Sequence, residues 1–111
     1  MTAANRRAKL EAMLLASPND QMLRYMLAME LEKESAYDRS LSYFQSLMED
    51  CPPYVPAFLM AGQQLARLGR IDEAKSTYRS GIAHAEKQGN AHAAGEMAGF
   101  LAAVDDPHSA M

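Results

Sequence analysis

The chain has 111 residues, enough for one domain whose single core is just adequate. Its apolar residues are mainly Ala, Leu and Met, with Val, Ile and Thr scarce and Trp absent, which favours an all-α fold over one needing β-branched strands. A formal charge of -3 and a pI near 5.5 argue against a dedicated nucleic-acid binder. The single cysteine, Cys51, cannot form an internal disulfide and fits a reducing, cytoplasmic setting.

Residues 3–16 have helical apolar spacing. Arg6, Arg7 and Lys9 ahead of Leu10, Met13, Leu14 and Leu15 superficially resemble a targeting segment, but Glu11 interrupts the apolar stretch, so an amphipathic structural helix is expected. "SPND" ends it, with Ser17 as a cap and Pro18 at the start of a second helix running to about Lys33. In "KESAYD", Ser35 with Asp38 three later reads as a weak capping box for a third helix, to about Asp50. "CPPYVP" is a rigid connection.

The fourth helix, from about Pro56 to Leu68, stops at Gly69, and Asp72 and Glu73 open the fifth, which ends around "KQGN". A sixth, from about Ala91 to Val104, contains Gly95 and Gly99, each costing about 1 kcal/mol relative to Ala unless close packing offsets it. The tail "DDPHSAM", residues 105–111, is expected to be disordered. No apolar run reaches the roughly 20 residues that cross a bilayer, so no membrane partner is expected.

The chain resembles itself at an offset of 34. Pro18 falls on Pro52, Leu27 on Ala61, Ala28 on Gly62, Leu31 on Leu65, Ser40 on Ala74, Phe44 on Tyr78 and Leu47 on Gly81, while Phe44 shifted back reaches Leu10. Residues 56–85, "PAFLMAGQQLARLGRIDEAKSTYRSGIAHA", carry Phe58, Gly62, Gly69, Ala74, Tyr78 and Gly81. On these residues the segment resembles a tetratricopeptide repeat, as found in small bacterial proteins of that family. Residues 21–54 match less closely: Ala28 stands for the Gly, Ser40 for the Ala, Leu47 for the second small residue and Arg24 for an aromatic.

The resemblance implies about six helices in antiparallel hairpins, stacked as a short right-handed solenoid. It places one domain at 1–104: a half-repeat helix at 3–17, repeats at 21–54 and 55–88, and a capping helix at 90–104 in register on either Gly95 or Gly99. Small residues would let helices cross closely, with the ring of Tyr78 between them. It also implies a concave groove that binds a protein or peptide partner, lined by Met22, Tyr25, Met29, Glu32 and Lys33 from one helix. Leu59, Gln63, Ala66 and Arg67 would line it from the next, and His92 or Glu96 from the last. The family subclass that grips a terminal carboxylate uses Lys and Asn where this chain has Tyr25 and Met29, so that clamp is missing. Met22, Met26, Met29 and Met60 have two readings, as core filler or as an adaptable binding surface.

Nothing in the sequence assembles chemistry. His84, His92 and His108 lie on separate segments and share no metal-ligand spacing, Cys51 has no adjacent base, and there is no phosphate-binding Gly loop. No enzyme activity, cofactor or metal is expected. The expected role is an adaptor or scaffold; the alternative is a self-associating unit, a possible homo-oligomer, or an accessory subunit of a larger complex.

Overall fold

The computed structural model describes residues 3–105; the rest of the expected tail, with His108, lies outside the described residues. In chain order the elements are α1 (Ala3–Ala16), α2 (Gln21–Lys33), α3 (Tyr37–Met48), α4 (Val55–Arg67), α5 (Ile71–Lys87) and α6 (Ala91–Asp105). No strand occurs among the described residues, so the chain is all-α. It divides between Tyr54 and Val55 into two compact units of three helices each.

Three of the turns share one geometry. After α2, Ser35 adopts φ 60°, its N–H donating to the Glu32 carbonyl at 3.0 Å while the Ala36 N–H reaches back to Leu31 at 2.9 Å. After α4, Gly69 at φ 79° does the same with Ala66 and Leu65, and after α5, Gly89 at φ 72° with Glu86 and Ala85. This paired bonding satisfies carbonyls that the helix end leaves open. Ser35 therefore closes α2 and does not cap α3, whose N-cap position is Ala36 with no side-chain bond. Ser17 is likewise no cap: its N–H ends α1 on Met13 and Leu14, and Asp20 caps α2 by accepting the Leu23 N–H at 2.9 Å. Asp20 immediately precedes α2, whereas Ser17 and Pro18 belong to the preceding turn.

In the first unit Leu10 and Leu14 of α1 meet Leu27 and Leu31 of α2, with Leu23, Ala36 and Tyr43 packed around them. Across α2 and α3, Ala28, Phe44 and Leu47 are fully buried. Two departures from the repeat pattern acquire physical reasons here. The hydroxyl of fully buried Ser40 donates to the Ala28 carbonyl at 2.6 Å, so it is accommodated in an alanine-sized site without losing its hydrogen bond. Buried Arg24, in place of an aromatic, runs its guanidinium to Asp50 just beyond α3, with Nη2 2.5 Å from Oδ2 and further bonds to Ser46 Oγ and the Asn19 carbonyl.

In the second unit the small residues lie at close approaches. Ala74 and Gly81 are buried. A Cβ on Gly62 would run into the buried ring of Tyr78. One on Gly81 would lie 2.5 Å from both Met97 Sδ of α6 and Phe58 Cβ of α4. Gly95 and Gly99 are exposed with open space beside them, so neither sets the register of α6. That falls to fully buried Met97, which lies against Gly81, while Phe100 stacks on Tyr78 with centroids 6.1 Å apart.

Candidate protein-interaction surfaces

The α2 residues of the expected groove part into two groups. Tyr25 turns its ring edge-on to Phe44 and Tyr54, at centroid distances of 6.0 and 5.4 Å, and the Tyr54 hydroxyl lies 4.0 Å from Met22 Sδ. Burial, and secondarily the neighbouring Tyr54, pushes the Tyr25 phenol above its ordinary value, so the ring stays neutral at physiological pH. Met29 and Lys33 line a groove between α1 and α2 instead. At about 100° of rotation per residue all four share one stripe of α2, with Tyr25 at the edge beside Tyr54 and Met29 and Lys33 toward α1.

That groove holds about 420 Å³, and its apolar wall comprises Leu10, Met13, Leu23, Met26 and Met29. Met13 and Met26 are 45% and 44% exposed and Met22 is 54% exposed, whereas Met97 is fully buried. Core filling thus describes Met97, and the methionines of α1 and α2 present surface. The resemblance to the repeat pattern does not place α1 at this groove, although Arg6, Lys9 and Met13, at spacings of three and four, carry the signal of one helix face.

In the second unit Leu59, Gln63 and Arg67 follow one another at four-residue spacing along α4, the first two half-buried and Arg67 exposed in the last turn. Ala66 beside them is half-buried. Offset by 34, Tyr25, Met29 and Lys33 fall on Leu59, Gln63 and Arg67, so both helices end this row on a cation. Glu32 is half-buried on α2. His92 and Glu96 are exposed on α6 with Nε2 3.4 Å from Oε1, and His84 stacks on Phe58 with centroids 5.4 Å apart. Cys51 is exposed beyond α3. Among the described residues no three His, Cys, Asp or Glu side chains gather where they could hold a metal ion, and no helix is long and apolar enough to cross a membrane.

No family model matches the chain, and no curated protein matches it. Solved structures do. A tetratricopeptide repeat domain protein from Salinibacter ruber is 33% identical, with a TM-score of 0.75, over 79% of this chain and 89% of its own. A protein from Bordetella parapertussis is 25% identical, with a TM-score of 0.74, over 88% of this chain and 85% of its own. With the first of these 33% identical over more than two thirds of both chains, the chain belongs to the tetratricopeptide repeat family.

Proposed function

We propose that the protein is a non-enzymatic adaptor that holds a peptide or short helix of another protein. Membership of a helical-repeat family whose members act generally as protein-interaction modules supports the broad role. The observation that carries the finer reading is the exposure of Met13, Met22 and Met26 on α1 and α2, where flexible, polarizable side chains can fit partners of differing shape. Lys33 and Arg67 end the α2 and α4 rows with a positive charge for the partner's polar groups. The low cysteine content supports a cytoplasmic setting.

Affinity capture with cross-linking from the native cell tests this, using Met22→Glu and Arg67→Glu variants checked for unchanged helical circular dichroism. A partner lost with either variant supports the α2 and α4 faces; capture unaltered by both counts against them. A second reading is self-association, favoured by Phe100, 39% exposed on α6 beside the open face at Gly95 and Gly99. Sedimentation equilibrium across a wide dilution range would then show the particle dissociating, and a monomer independent of concentration would exclude it.

A further inference from the structure

We infer that the α1–α2 groove receives an amphipathic helix with an acidic end, which deepens the adaptor reading and rests on it. The argument begins with register. Arg6 Nη1 lies 3.2 Å from Glu30 Oε1, which fixes α1 antiparallel to α2. Arg6, Lys9 and Lys33 therefore gather at one end of the groove, and Met13, Leu23 and Met26 at the other.

Charge selects the occupant. Glu30 is the one carboxylate lining the groove, against three cations, leaving two net positive charges in a chain whose own balance is -3. Its Oε1 is shared by Arg6 and Lys33, the latter at 3.4 Å, so one oxygen already serves two cations. Arg7, by contrast, is paired outside the groove with Glu11 and Glu34. Lys9 has no carboxylate partner among the described residues. A ligand carboxylate at this end meets the three cations, and a basic ligand is repelled by them.

Shape selects a helix. The second unit shows what a seam between two antiparallel helices of this chain accepts: α6 lies across α4 and α5 and sets Met97 against Phe58 and Gly81. A volume of about 420 Å³ holds a few side chains and no folded domain. Apolar anchors at i, i+4 and i+7 on a docked helix would engage Met13, Leu23 and Met26. Acidic residues in its first turn would lie over Lys9 and Lys33, where its own dipole also favours them.

Fluorescence anisotropy on the full chain tests this with three labelled 16-residue peptides. The first carries Leu anchors and a Glu-rich first turn, the second the same anchors with Lys for Glu, and the third keeps Glu but has Ser for Leu. The first should bind about tenfold or more tightly than the others. Lys9→Glu and Lys33→Glu should each weaken the first peptide and strengthen the second, and Met26→Ser should weaken the first without reversing the preference. Equal binding of the first two peptides, or indifference to Lys9→Glu, Lys33→Glu and Met26→Ser in variants with wild-type melting temperature, overturns the assignment. Binding lost with Arg67→Glu alone also overturns it while leaving the adaptor reading intact. Loss of native-cell capture from the α2 and α4 variants, with none of the three peptides bound, separates the two in the same way.

Discussion

At Gly81 an added methyl would have to displace Phe58 Cβ and Met97 Sδ, each 2.5 Å from where it would sit. A thioether can swing aside, but a Cβ moves only with its backbone, so the strain has no cheap outlet. Gly81→Ala should cost about 2 kcal/mol, and Met97→Ala should not rescue it, because Phe58 remains. The same change at Gly95 or Gly99 meets open space on an exposed helix face and removes only backbone freedom in the unfolded chain. Each should gain about 1 kcal/mol, read as a rise in thermal midpoint, and a fall would mean that this face is covered. Ser35 is a third case, since it holds φ 60° at the position where the next repeat has Gly69. Ser35→Gly should stabilise by about 1 kcal/mol; no gain would mean that the left-handed geometry is not occupied in solution.

The first hairpin replaces an aromatic–glycine contact with charge. Where α4 and α5 bring Phe58 against Gly81, the equivalent positions on α2 and α3 are Arg24 and Leu47, and Arg24 reaches past buried Leu47 to Asp50. The pair clips the start of α2 to the end of α3, with Gln21 donating a further bond to Asp50 at 2.9 Å. Removing the carboxylate charge leaves a buried guanidinium short of its partner, so Asp50→Asn should cost about 2–3 kcal/mol, less than a fully enclosed pair because Asp50 keeps 27% of its side chain exposed. Hydrogen bonds from Arg24, then Gln21, hold the Asp50 carboxyl below its ordinary range. A carboxyl lowered on folding stabilises above its unfolded value of about 3.9 and loses that contribution as pH falls through the lower folded value. The stability gap between wild type and Asp50→Asn should therefore be flat from pH 7 to about 5 and narrow below about 4. A gap that is the same at pH 3 and pH 7 would show that the pair is not formed. That Arg24 departs from the repeat was legible in the sequence; its partner was not, because the partner lies 26 residues away and only the crossing of two helices joins them.

Over the whole molecule, what the sequence revealed was what repeats: the helix order, the turns at Gly69 and Gly89, and the small residues facing rings. These rest on spacing along one helix and on φ preferences, which are local. The division of the α2 residues between Tyr54 and the α1 groove was not legible, since it depends on which neighbour covers each edge of one stripe, and nothing local to α2 records that. Coverage also predicts how the molecule opens. Within the first unit α2 buries five residues, three of them apolar, while α1 contributes Leu10 and Leu14; within the second α4 buries seven, five of them with apolar side chains, while α6 buries only Ala94 and Met97. In a repeat protein each helix is held by its neighbours in sequence, so an outer helix can open without unfolding the rest. Native-state hydrogen exchange should find the α1 amides exchanging at lower free energy than those of α2 in the first unit, and the α6 amides at lower free energy than those of α4 and α5 in the second. Ion pairs will not reverse that order: Lys75–Asp105, 2.8 Å, and Arg7–Glu34, 3.0 Å, are open to solvent, where such pairs add little. If α1 proves as protected as α2, the groove that it forms with α2 is more rigid than its sparse burial implies, and a docking helix would meet a preformed site instead of ordering one.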